Sequence, residues 1–62
     1  MNLEEIRREI NRLREEVAHL EFLIAHYANS IHVAHLSERL HRVESQLSRL
    51  QKQAVVMERN II

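Results

Sequence analysis

Apolar residues recur along this chain at spacings that alternate between three and four. One run is Leu3, Ile6, Ile10, Leu13, Val17, Leu20, Ile24, Tyr27 and Ile31. A second is Val33, Leu36, Leu40, Val43, Leu47, Leu50, Ala54, Met57 and Ile61. A mean spacing of about 3.5 puts each run on one stripe of an α-helix, as a heptad seam whose a and d positions face a neighbouring helix. The two stripes are out of phase. With Tyr27 at d and Ile31 at a, the second run needs Val33 at a. That slip of two matches neither the four-residue nor the three-residue insertion that a continuous coiled coil absorbs. A short turn between two helices accommodates it.

The turn falls at Asn29-Ser30. Asn tolerates the left-handed conformation that ends many helices when Gly is missing, and Ser is a preferred cap for the next helix. At the other end, Asn2 with Glu5 three residues later reads as a capping box, and Glu4 and Glu5 place negative charge at the positive end of the helix dipole. Glu4 and Arg8 are spaced to pair on the outer face. The expectation is an all-α antiparallel hairpin, with a helix over about residues 2–28, a turn at 29–30 and a helix over about 31–60, in one domain spanning 1–62. The alternative is one continuous helix, roughly 90 Å long at 1.5 Å per residue, in a coiled coil.

Composition supports helices and limits the chemistry. The 62 residues contain no Gly, Pro or Cys, so the common helix breakers, disulfides and thiolate sites are all missing. The first 28 residues hold four Arg and six Glu, a balance of −2. From Ile31 onward there are five Lys or Arg and three Glu, a balance of +2. Antiparallel neighbours of opposite charge attract weakly, which favours the hairpin.

A chain this short buries a modest core and is marginal alone. One hairpin also cannot cover both stripes, because each helix has a single neighbour. Two hairpins packed as a four-helix bundle would cover them. The expected assembly is therefore a homo-oligomer, a dimer by preference. Its core is drawn from Ile6, Ile10, Leu13, Val17, Leu20, Ile24, Tyr27, Leu36, Leu40, Val43, Leu47, Leu50 and Met57. In length and turn position the chain resembles the Rop-type plasmid copy-number regulators, hairpins that dimerise into a four-helix bundle and bind paired RNA loops. The resemblance is architectural. Rop-type cores favour small residues in one set of layers, whereas here Ala stands only at Ala54. No RNA-binding residue is carried over.

Three features lie off the stripes. Phe22 occupies heptad position f, flanked by Ala18 and Ala25 and by His19 and His26. An aromatic among small neighbours is a common anchor for a protein partner, although single exposed apolar residues are also ordinary. Arg42, Arg49, Lys52 and Arg59 make a basic stripe on the second helix, a candidate contact for nucleic-acid phosphates or simply a solvated face. Five histidines, His19, His26, His32, His35 and His41, gather toward the turn. Only His32 and His35 share an i,i+3 spacing, so no metal site and no cofactor are expected.

The functional expectation is a non-catalytic, self-associating module for oligomerisation or protein interaction, with a Rop-like RNA- or DNA-binding regulator as the alternative. An enzyme is not expected, because Asp, Cys and a Gly-rich phosphate loop are all missing. The acidic, amphipathic N-terminus is unlike a secretory signal, and no apolar run approaches the ~18 residues that span a bilayer. A cytoplasmic location with no membrane partner is the expectation.

Overall fold

A computed structural model describes residues 2–61, with the backbone alone for Ile61; Ile62 and the side chain of Ile61, the end of the second stripe, lie outside the described residues. Two helices, α1 (Leu3–His26) and α2 (Val33–Ile61), pack against each other as a hairpin. The principal extents are 50 × 14 × 14 Å, which excludes the continuous rod as the form of this chain. No helix among the described residues is long and apolar enough to cross a membrane.

Helix α1 begins where the capping pattern puts it. Asn2 has extended backbone, with φ −87° and ψ 170°, and its Oδ1 accepts from the Glu5 N–H at 2.8 Å. The Asn2 carbonyl accepts the first helical bond from the Ile6 N–H at 3.0 Å. One of the unpaired donors at the helix start is thereby satisfied.

The connection differs from the expected turn. It covers residues 27–32 rather than 29–30, so α1 stops at His26 instead of Ala28 and α2 starts at Val33 instead of Ile31. Among the described residues none has a positive φ, so Asn29 does not form a left-handed cap. The chain turns on two successive i to i+3 bonds instead. The Ser30 N–H donates to the Tyr27 carbonyl at 2.8 Å, and the Val33 N–H donates to the Ser30 carbonyl at 3.2 Å. Such tight turns need only ordinary negative φ values. Ser30 Oγ accepts from the His32 N–H at 3.1 Å. The His32 carbonyl then accepts from the Leu36 N–H at 3.2 Å, opening the α2 ladder one position before the helix proper.

The seam is closed in its centre and half-open along its edges. Ile6, Ile10, Leu13, Leu20, Val43 and Ala54 are buried, with Ile6 and Leu13 the largest of those fully enclosed. Ile6, Ile10 and Ala54 form one cluster with Leu3, Leu47, Leu50 and Met57 around it. Leu13, Leu20 and Val43 form the other, surrounded by Val17, Leu36, Leu40, Leu47 and Leu50. Of the expected core, Val17, Ile24, Leu36, Leu40, Leu47, Leu50 and Met57 remain only half-buried. Each helix has one neighbour, so residues at the margin of the contact still meet water. Tyr27, assigned to the seam by its spacing, instead caps α1 and is exposed. Ile31 is 88% exposed, because the chain leaves the helical path before reaching it.

The two edges of the seam have distinct chemistry. Along one lie Arg7, Asn11, Arg14, Gln51, Val55 and Glu58, lining a groove of about 410 Å³ with Ile10 and Ala54 at its floor. Along the other lie Glu9, Arg12, Gln46, Arg49 and Gln53, over Leu13 and Leu50. Each edge carries one ion pair between the helices, Arg7 with Glu58 at 2.9 Å and Arg39 with Glu16 at 2.8 Å. Both edge pairs match heptad positions, e to e and g to g, as expected for antiparallel helices in register.

Candidate interaction surface

Phe22 is 68% exposed, more than Tyr27 at 44%. It faces away from α2, as position f dictates. Exposed Ala18 and Ala25 flank it on one side and exposed His19 and His26 on the other. It is not isolated. Its ring lies parallel to that of His26, 6.2 Å between centroids and 8° between planes. His26 in turn meets Tyr27 edge-on at 4.8 Å and 89°. The i,i+4 spacing stacks Phe22 on His26, and the end of the helix at His26 lets Tyr27 swing to the ring edge.

This short aromatic ladder continues around the turn. Leu23, Tyr27, His32, His35 and Leu36 line a shallow cavity of about 370 Å³ whose walls are mostly apolar. Ladder and cavity share the residue Tyr27. Together they make the turn end of the hairpin an apolar, histidine-bearing surface. Sequence spacing identified Phe22, Ala18, Ala25, His19 and His26 as a group. It missed the contribution of Leu23, a half-buried residue at position g beside the seam. It also placed Tyr27 in the core, and did not join His32 and His35 to the patch. Leu23 and Tyr27 at i,i+4 were the available signal.

The five histidines do not converge. Among the described residues no group of three or more His, Cys, Asp or Glu side chains is placed to hold a metal ion. His19, His26, His32, His35 and His41 are all exposed.

The basic stripe lies on the outer surface of α2, with Arg42, Arg49, Lys52 and Arg59 all exposed. Arg42 is held by Glu38 at 3.4 Å. Arg49, Lys52 and Arg59 make no ion pair among the described residues. His41, Arg42, Ser45, Gln46 and Arg49 border a depression of about 330 Å³.

Arg12 sits at the middle of a charge cluster on its edge of the seam. Arg12 donates to Glu9 through Nε at 3.1 Å and also through Nη2, and it reaches Glu16 at 3.7 Å. The hydrogen bond from Arg12 holds the Glu9 carboxyl below its ordinary value; burial opposes this and the Arg12 charge adds to it. Arg12 is correspondingly raised, first by the same hydrogen bond. These residues form a chain Glu9–Arg12–Glu16–Arg39 that is satisfied within one molecule. The chain matches no family model, no curated protein and no solved structure.

Proposed function

We propose that this protein is a non-catalytic interaction module: a helical hairpin that associates with a second copy and offers its turn end to a protein partner. The half-buried seam carries the reading. Fully enclosing a Leu, Ile or Val side chain is worth about 1.5–3 kcal/mol, and ordering each residue costs about 1–2 kcal/mol. Among the described residues six hydrophobic side chains are buried, while Val17, Ile24, Leu36, Leu40, Leu47 and Leu50 still have apolar surface to bury. A second hairpin supplies the missing cover, as in four-helix bundles.

The partner-binding surface is the Phe22, His26 and Tyr27 ladder with the adjoining cavity. Its rings are rigid and amphipathic, and their exposure gives them area to lose on binding. Small-angle X-ray scattering on an absolute scale, at several concentrations, tests the self-association. A mass near twice the 7.4 kDa chain, with a longest dimension still near 50 Å, supports it. A mass of one chain throughout overturns it.

The second reading is a nucleic-acid-binding regulator of the Rop-like architectural type. It draws on Arg49, Lys52 and Arg59, three exposed cations of α2 that no acidic side chain neutralises among the described residues. Phosphate contacts of this kind weaken steeply with salt. Binding of short RNA hairpins or duplex DNA at low salt, weakening stepwise as each cation is replaced, supports it. No binding at low salt eliminates it.

A further inference from the structure

Resting on the self-association reading, we infer that the second copy docks on the Arg14 edge, with α1 packed antiparallel against the partner's α1 about a two-fold axis near Val17 and Ala18. The charges of that edge single it out. Arg14 and Glu21 are exposed, one heptad apart on the same face of α1, and neither has an ion-pair partner among the described residues. Two antiparallel copies of this segment bring Arg14 to the partner's Glu21 and Glu21 to the partner's Arg14. A two-fold contact is self-complementary in this sense: each residue meets its complement twice.

The surface between the two charges suits a helix. Val17 and Ile24 are half-buried on this side and exposed Ala18 and Ala25 stand beside them. Small side chains at the crossing allow helix axes to approach to about 8–10 Å. By contrast, the d positions on the other side of α1, Leu13 and Leu20, are already enclosed at 2% and 3% exposure. The edge above them carries the satisfied chain Glu9–Arg12–Glu16–Arg39. A second copy placed there would remove water from four charged groups and gain little apolar burial.

Charge also sets the orientation on the Arg14 edge. Two heptads along both helices from the Arg7–Glu58 pair, Glu21 comes level with Glu44. A dimer with both turns at the same end would put α1 beside the partner's α2 and gather these acids from both copies at one level. The antiparallel α1 pairing separates them and places the two turns, with their aromatic patches, at opposite ends of the bundle.

Charge reversal and cross-linking test this. Arg14→Glu alone, or Glu21→Arg alone, turns two attractions into two repulsions and should raise the dimer Kd about tenfold or more. The double variant R14E/E21R should restore it. Because the chain has no cysteine, Ala18→Cys is a clean probe: a disulfide needs Cα atoms about 4.4–6.8 Å apart, and this arrangement brings the two copies of residue 18 together beside the two-fold axis. Ready disulfide formation together with rescue by the double variant supports the proposal. A wild-type dimer that gives no Ala18→Cys disulfide, or no rescue, overturns this docking face and leaves self-association standing. A wild type that stays at the mass of one chain overturns both.

Discussion

Arg39 on α2 donates through Nε and Nη2 to a single oxygen of Glu16 on α1, at 3.1 and 2.8 Å. It joins residues far apart in sequence at the same heptad position, and so ties the antiparallel register to one edge of the seam. Its energetic weight is limited by water. Arg39 is 67% exposed, although Glu16 is only 21% exposed and already engaged by Arg12. A double-mutant cycle with Glu16→Gln and Arg39→Gln should give a coupling of about 0.2–1 kcal/mol, falling with added salt. A coupling near zero would mean that the apolar layers alone set the register.

The seam makes a sharper prediction. Leu13→Ala empties an enclosed site and should cost about 2–5 kcal/mol in urea unfolding. Val17→Ala removes a half-buried side chain and should cost less in dilute protein. If the Arg14 edge is covered by a second copy, the Val17→Ala penalty grows as protein concentration rises, because the wild type gains stability by mass action and the variant gains less. A penalty independent of concentration would place Val17 outside any intermolecular contact.

The two helices were legible in the sequence because heptad spacing reports the direction a side chain faces, and direction decides burial. The breakdown came at Tyr27 and Ile31. Both continue the spacing of the first stripe, but the backbone stops being helical after His26, so Tyr27 becomes a cap and Ile31 points into water. Spacing says nothing of which carbonyl accepts which N–H. The candidate surface divides the same way. Phe22 stood out because it lies off the stripe, whereas the cavity shared by Tyr27, His32 and His35 depends on the path of the turn and leaves no periodic trace.

The turn itself can be tested by glycine. A left-handed cap at Asn29 would be stabilised, or left unchanged, by Asn29→Gly. With no positive φ in the connection, the substitution only adds freedom to the unfolded chain and should destabilise by about 0.4–1 kcal/mol. The midpoint of urea unfolding decides between the two: a midpoint that holds or rises would restore the left-handed cap.

Acid should act through Glu9. Its carboxyl is held below its ordinary value by the hydrogen bond from Arg12, so the folded state takes up a proton less readily than the unfolded chain. The stability this contributes is present above the unfolded carboxylate value and is lost as pH falls through the depressed folded value. Glu9→Gln removes the titration. The wild type should therefore lose its advantage over Glu9→Gln as pH falls through that window, read from unfolding midpoints at neutral and acid pH. A constant gap would show that Glu9 carries no linked proton.

The aromatic ladder gives the prediction that bears most directly on function. Phe22 is 68% exposed and touches no enclosed cluster, so Phe22→Ala should change stability by no more than about 0.5 kcal/mol and leave helix content and mass unaltered. Any partner that reads the ladder should be lost with it, because the exposed Phe22 ring is the anchor of the ladder. His26→Ala removes the ring stacked on Phe22 and the edge contact to Tyr27. It should weaken capture less than Phe22→Ala, since it loosens the anchor without deleting it. Ser45→Ala, on the outer face of α2 away from the ladder, serves as the control and should capture as the wild type does. The order wild type and Ser45→Ala first, then His26→Ala, then Phe22→Ala assigns binding to the turn end. Equal capture by all four would remove the ladder from the interaction surface.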